Sequence, residues 1–109
     1  MAYSETLAQR VRDVLSLLTT AEEKKMFGGV GYLVMGNMAC GVNKDDLIVR
    51  VGPDKYEEYA ILPHARPFNF TGRPMKGWLM VAPGGYMAKA DLVAWVRRGV
   101  DYAHTLPPK

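Results

Sequence analysis

The chain contains very little cysteine, and this scarcity excludes two kinds of small protein. Among its 109 residues there is one cysteine, Cys40, so an internal disulfide framework and a multi-cysteine zinc site are both excluded. No apolar run approaches the ~20 residues that a membrane-spanning helix requires. The first residues lack the basic region and apolar core of a secretory signal. We therefore expect a cytoplasmic protein with no membrane contact.

The overall composition is that of an ordinary globular domain. Hydrophobic residues make up 49% of the sequence and charged residues 23%, which is typical of a soluble folded unit. The length fits a single domain over residues 1–109, because domains cluster at about 100–150 residues. The net charge of +3 is unevenly spread, since residues 59–98 hold six basic residues and one acidic residue. This basic segment permits an anionic partner, and direct nucleic-acid binding is one alternative function.

Apolar periodicity and capping signals predict three helices. The first carries an apolar stripe at helical spacing that consists of Leu7, Val11, Val14, Leu15 and Leu18. Ser4 is its predicted N-cap. The second helix covers residues 55–60, and the third ends before Leu106, because the prolines that follow cannot continue a helix. The capping-box spacing of Thr20 and Glu23 predicts a further short helical turn over residues 22–25.

Turn signals and period-2 alternation predict five strands. Gly36-Asn37 predicts a two-residue hairpin turn that places Met35 opposite Met38 and Leu33 opposite Cys40. Residues 43–46 form a second predicted turn before the third strand. Residues 62–67 are predicted to be a proline-stiffened loop, followed by a strand through residues 68–70 and another over residues 76–81. The order helix, three strands, helix, two strands, helix predicts a two-layer α+β domain with a largely antiparallel five-stranded sheet.

The third predicted strand has two distinct faces. Leu47, Val49 and Val51 share one face, while Ile48 and Arg50 share the other. A half-buried arginine on a sheet pairs with a carboxylate or caps carbonyl groups. The alternative is contact with an anion or a partner, because its planar guanidinium suits carboxylate and phosphate.

No set of residues has the spacing of a catalytic or metal site. The glycines at 28, 29 and 31 fit neither the phosphate-loop pattern nor the dinucleotide fingerprint. Cys40 lies within a predicted strand, where a lone cysteine is usually packed in the core. A small-molecule enzyme that uses Cys40 and His64 is the less favoured alternative. We expect a protein that is not an enzyme and that uses neither a metal nor a cofactor.

Basic and aromatic residues together indicate a surface for a partner. A single sheet has two faces, and an apolar face that the helices leave uncovered favours a protein partner or a homodimer. The predicted partner-binding residues are Arg50, Arg66, Arg73, Lys76, Phe27, Phe70 and Trp78.

Several segments resemble a known family. Residues 25–31 are Lys-Met-Phe-Gly-Gly-Val-Gly, residues 47–51 are Leu-Ile-Val-Arg-Val, and residues 75–78 are Met-Lys-Gly-Trp. Near the end of the chain, residues 95–98 are Trp-Val-Arg-Arg and residues 106–109 are Leu-Pro-Pro-Lys. In this order and separation they resemble the TfoX N-terminal domain family, from about Leu7 to the end of the chain.

The resemblance implies a two-layer α+β fold and carries over no catalytic residues. Full-length TfoX/Sxy proteins regulate natural competence in bacteria, together with a cyclic-AMP receptor protein, and carry a second, helical C-terminal domain. We expect this chain to lack that domain. The resemblance therefore implies a non-catalytic protein-interaction domain in transcription or competence regulation, with a transcription regulator as its partner.

Overall fold

A computed structural model of the chain describes residues 3–26, 28–68 and 76–109. Its elements, in chain order, are α1 (Glu5–Leu18), β1 (Glu22–Met26), β2 (Gly29–Val34), β3 (Asn37–Asn43), β4 (Asp46–Arg50), α2 (Tyr56–Ala60), β5 (Ala65–Pro67), β6 (Trp78–Val81), a 3-10 turn (Pro83–Gly85) and α3 (Lys89–His104). The strands form one antiparallel sheet in the order β1-β2-β3-β4-β6-β5. The predicted α+β class and antiparallel layout are confirmed, and the structure adds a sixth strand.

The first helix forms as its sequence predicts. The Ser4 hydroxyl accepts a hydrogen bond from the backbone N–H of Leu7 at 3.1 Å, which satisfies one of the free donors at the helix start. The apolar stripe then turns Val11, Val14 and Leu15 into the core, where each is at most 4% exposed. The predicted bounds of α2 and of the end of α3 are likewise confirmed.

The helical turn predicted over residues 22–25 is wrong, because this segment is the edge strand β1. Residues 22–26 pair with β2 along their whole length, with Glu23 opposite Tyr32. An isolated helical turn of four residues is unstable, whereas pairing with β2 satisfies the backbone groups of one side of the segment. Glu23 binds the side chain of Arg12 at 2.6 Å instead of capping a helix.

The predicted register of the β2–β3 hairpin is wrong, by two residues next to the turn and by one residue beyond a bulge between Tyr32 and Leu33. The turn consists of Met35 and Gly36, which both have positive φ, at 52° and 83°, as a tight hairpin turn requires. Asn37 is the first residue of β3 and pairs with Val34, while Leu33 pairs with Met38. The Asn37 side chain is buried and donates to the carbonyl of Pro107 at 2.9 Å. The contact of Asn37 with the C-terminal segment therefore places Asn37 in β3, whereas local turn preference places it in the turn.

The predicted loop over residues 62–67 contains the short strand β5. Its pairing with β6 places Arg66 opposite Met80, and the N–H of Phe68 extends the ladder to the carbonyl of Trp78 at 3.3 Å. The predicted strand position of Phe70 lies outside the described residues. Proline stiffens this segment but does not prevent pairing, because β5 is an edge strand.

The core lies between one sheet face and the helices. Leu47, Val49 and Val51 of the β4 region point into it, as predicted, and are at most 2% exposed. Gly99 of α3 packs directly against the backbone of Ala39 in β3.

All three helices lie on this face of the sheet. On the α1 side, the Tyr32 hydroxyl donates to the carbonyl of Ala8 at 3.3 Å. On the α2 side, the ring of Tyr59 packs edge-on against Trp95 of α3, with centroids 6.3 Å apart. Ile48, on the opposite face, is buried but lies outside the main core cluster.

Candidate functional site

Three of the predicted partner-binding residues lie together on the sheet face away from the helices, which we call the helix-free face. Arg50 of β4 is opposite Trp78 of β6, and Arg66 of β5 is opposite Met80. Lys76 is exposed in the turn just before β6. Phe27, Phe70 and Arg73 lie outside the described residues. The alternation of Trp78 and Met80 with the buried Leu79 and Val81 places both on one face, as predicted.

Arg50 contacts aromatic rings instead of a carboxylate. Its guanidinium carbon lies 5.2 Å from the ring centroid of Trp78 and 5.4 Å from that of Tyr102 in α3. Gly52 makes room for Tyr102: its φ is +87°, and a Cβ there would collide with the tyrosine ring. Within the described part of the chain, Arg50 makes no salt bridge. The half-buried guanidinium is thus oriented by two rings, while its charge has no partner among these residues.

Arg66 is held in a different way. It donates to the Asp46 carboxylate at 2.8 Å, and the Asp46 side chain is only 18% exposed. This pair partly neutralises the basic segment that the sequence indicates at residues 59–98. Among the described residues on or beside the helix-free face, Arg50, Lys76 and Lys24 therefore carry the positive charge that is not paired with a carboxylate.

The middle of the helix-free face is apolar. Ile48 is 5% exposed, and Met80 beside it is half-buried. On the β2–β3 side, Gly31 is opposite Gly41; both glycines are buried, and the end of the Met38 side chain lies next to Gly41. An apolar floor with basic groups at its rim is typical of surfaces that contact another macromolecule.

Both edge strands of the sheet have features that disfavour pairing with a strand from a partner. β1 has the sequence Glu-Glu-Lys-Lys-Met over Glu22–Met26, and charged side chains are a common protection of edge strands. β5 is three residues long and ends in Pro67, which lacks a backbone donor. A partner therefore has better access to a face of the sheet than to its edges.

A second arginine stands against aromatic rings on the helical side. The guanidinium carbon of Arg98 in α3 lies 4.7 Å from the ring centroid of Tyr59 and 4.6 Å from that of Trp95. In the sequence, Arg98 belongs to the basic segment over residues 59–98 and to the Trp-Val-Arg-Arg stretch at residues 95–98. Its spacing from Trp95, three residues earlier on a helix, is the one local signal of this contact. The contact of Tyr59 with Arg98 depends on how α2 packs on α3, so the spacing of residues in the sequence does not predict it.

Cys40 and His64 do not form a reactive pair. Cys40 is fully buried in the core, and burial raises the pKa of its thiol to about 12, so the nucleophilic thiolate is suppressed at neutral pH. The imidazole of His64 lies instead against Gly84 and Gly85, in a depression that Cys40 does not line. The predicted packing role of Cys40 is confirmed, and the structure does not bring Cys40 and His64 together.

The residues that the structure describes contain neither a metal-binding cluster nor a membrane-spanning helix. Residues 3–26, 28–68 and 76–109 contain no group of three or more metal-binding side chains. Over the same residues, every helix is too short or too polar to cross a bilayer.

The fold and the site together define a class of protein. It is a two-layer α+β domain in which three helices cover one face of an antiparallel sheet, and the other face presents an apolar floor with arginine at its rim. The family model of the TfoX N-terminal domain matches residues 13–103, so the chain belongs to this family, as the resemblance implies. A search of the curated proteins gave no significant match.

Proposed function

We propose that this domain acts without catalysis in the cytoplasm, as an interaction module that binds a protein partner through the helix-free face. Membership of the TfoX N-terminal domain family suggests a competence-related regulatory domain, and this is not a known enzymatic family. A transcription regulator is the kind of partner that this membership favours.

The observation that carries the proposal is the environment of Arg50. Its guanidinium is set against Trp78 and Tyr102, so little side-chain freedom remains to be lost on binding. Arginine and tryptophan are also the residues that most often dominate the energy of protein interfaces. An oriented, unpaired guanidinium beside an apolar floor is suited to a carboxylate at the centre of an interface.

Charge favours an acidic protein surface over a second copy of the chain. A two-fold interface centred on Arg50 would bring two arginines together, and like charges at an interface are unfavourable. Nucleic acid is also disfavoured, because Asp46 pairs with Arg66 and Glu22 offsets the charge of Lys24, which lies on the same face by the sheet register. Nucleic-acid-binding surfaces carry a denser array of positive charge.

The test compares partner binding by Arg50→Ala and Trp78→Ala with that of a control, Arg97→Ala, which removes the same charge from an exposed site on α3. A partner isolated with the wild-type chain from its native cells is purified, and its affinity is measured by calorimetry. Truncation of an interface hot spot costs ~2 kcal/mol or more, so we expect each variant on the helix-free face to bind roughly 30-fold more weakly.

Other outcomes would overturn the proposal. Equal affinity of Arg50→Ala and the wild-type chain would show that this face is not the binding surface. A dimer in light scattering that Arg50→Ala dissociates would assign the face to a second copy. Tight binding of duplex or single-stranded DNA with a steep salt dependence would assign it to nucleic acid.

A further inference from the structure

Arg98 lies at the junction of two depressions on the helical side of the domain. One is a cavity of about 400 Å³, lined by Tyr59, Tyr102 and Asp101 among others. The other is a cavity of about 320 Å³, lined by His64, Asp91 and Trp95 among others. Arg98 lines both. We call the two depressions together the α3 cleft.

The guanidinium of Arg98 is oriented and unused. The rings of Tyr59 and Trp95 are 6.3 Å apart and inclined at 70°, and Arg98 packs against both. The three distances place the rings at about a right angle around the guanidinium, which leaves its remaining sides free for a ligand. Among the residues that the structure describes, Arg98 has no carboxylate within 4.0 Å.

Arg12, by contrast, is an arginine whose side chain links two elements of the same domain. Its guanidinium contacts Glu23 at 2.6 Å and Gln9 at 2.7 Å, and a second carboxylate, that of Glu5, lies at 3.6 Å. It joins α1 to β1, and its donors are largely occupied. Arg98 has rings where Arg12 has acceptors, so its donors remain available for a group from outside the chain.

Carboxylates lie on both sides of Arg98 along the α3 cleft. Asp54 and Asp101 line the first cavity together with Lys55, which pairs with Glu58 at 3.8 Å, and Asp91 lines the second cavity. A polyanion such as nucleic acid would meet repulsion on both sides of Arg98. A peptide with one acidic side chain between basic or N–H-rich flanks would match this pattern, and apolar side chains beside the acid would pack on Tyr59 and Tyr102.

We propose that the α3 cleft binds a segment of a partner protein that carries a single glutamate or aspartate between basic or N–H-rich flanks, with that carboxylate paired to the Arg98 guanidinium. A planar guanidinium binds a carboxylate through two parallel hydrogen bonds. This inference goes beyond the proposed function, since it concerns a second surface, centred on Arg98, that shares only Tyr102 with the ring contacts of Arg50.

The two tryptophans of the chain report on the two surfaces separately. Trp95 contacts Arg98 in the α3 cleft, whereas Trp78 contacts Arg50 on the helix-free face. Their indole N–H signals in a nitrogen-15 spectrum of the full chain are assigned with Trp78→Phe. The probe is a terminally blocked heptapeptide with a central glutamate, leucine on each side of it and a lysine near each end. The control peptide carries glutamine in place of glutamate.

We expect the glutamate peptide to shift the Trp95 signal saturably and to leave the Trp78 signal in place. Hydrogen bonds to charged groups contribute enough that Arg98→Gln and the glutamine peptide should each weaken binding about tenfold. Arg98→Lys, which keeps the charge but loses the planar fork, should give an intermediate affinity. Arg97→Gln removes a neighbouring exposed charge and should bind like the wild-type chain.

Four results would overturn the inference. The first two are equal binding of the glutamate and glutamine peptides, and unchanged peptide binding by a folded Arg98→Gln variant. The third is an affinity for sodium acetate equal to that for the glutamate peptide. The fourth is tighter binding of inorganic phosphate or a single-stranded oligonucleotide, as measured by the shift of the Trp95 signal. Arg50→Ala should leave the Trp95 titration unchanged, so a failure of the proposed function and a failure of this inference appear in different variants.

Discussion

Replacement of Gly99 by alanine should destabilise the domain, although helix preference alone predicts the reverse. Gly99 lies in the middle of α3, and alanine is favoured over glycine in a helix interior by about 1 kcal/mol. In the folded domain, however, an added methyl group would overlap the carbonyl oxygen of Ala39. It would also lie 3.0 Å from the carbonyl carbon of Ala39 and 3.3 Å from Cγ1 of Val49.

The magnitude follows from the kind of atoms that the methyl group meets. Ala39 is 0% exposed and lies in β3 between Met38 and Cys40, which both pair with β2, so its backbone cannot shift far without disturbing these pairs. Overpacking of a core costs typically ~1–3 kcal/mol, and occasionally more. Because the obstacle is backbone, we place the cost at the upper end, about 3 kcal/mol. After the helix gain of about 1 kcal/mol, a net loss of about 2 kcal/mol remains.

The assay is thermal and urea unfolding followed by circular dichroism. For a domain of this size a loss of about 2 kcal/mol lowers the melting temperature by roughly 8–14 °C. Ala90→Gly, at an exposed position of the same helix, is the control, and it should cost about 1 kcal/mol through helix preference alone. A Gly99→Ala variant as stable as the wild-type chain, or more stable, would refute the close approach of α3 and β3.

Two further predictions concern buried groups. Asn37→Ala removes the hydrogen bond to the carbonyl of Pro107, so the free energy of unfolding, measured in urea, should fall by about 1 kcal/mol. If the loss of this bond is the cause, deletion of residues 107–109 should destabilise Asn37→Ala less than it destabilises the wild-type chain. Burial raises the pKa of the Cys40 thiol from 9.0 to about 12, so above pH 9 the unfolded chain loses a proton that the folded chain keeps, and stability should fall as the pH rises. Between pH 8 and pH 10 the wild-type chain should lose about 1 kcal/mol more than Cys40→Ala, and equal losses would contradict this assignment.

The periodic pattern of apolar residues correctly predicted those helices and strands in which buried residues recur at a regular spacing. The stripe of α1 and its Ser4 cap were predicted correctly, because a helix places every third or fourth residue on one face whatever it packs against. The alternation of Leu47 and Val49 with Ile48 identified the two faces of β4 for the same reason. Arg50 was placed on the correct face, but its ring contacts with Trp78 and Tyr102 could not be predicted, since Tyr102 is more than fifty residues away in the chain.

Where prediction failed, a distant segment overrode a local preference. The edge strand β1 has a sequence with a helix-capping signal, but β2 offers it a full set of hydrogen bonds and Arg12 takes up Glu23. The hairpin turn shifted because Asn37 bonds to Pro107, seventy residues later. The α3 cleft was missed because the packing of α2 on α3, and not any spacing, brings Tyr59 to Arg98.

The sequence by itself determined the class of fold, the faces of the main helices and the burial of the lone cysteine. Each of these follows from the period and polarity of neighbouring residues, which act over one or two turns of chain. Tertiary structure alone decided the edge strand, the hairpin register and the state of each arginine: Arg12 and Arg66 are paired with carboxylates, whereas Arg50 and Arg98 stand against aromatic rings. Charge partners are chosen by which elements lie side by side after packing, and the number and order of charges along the chain do not contain that information.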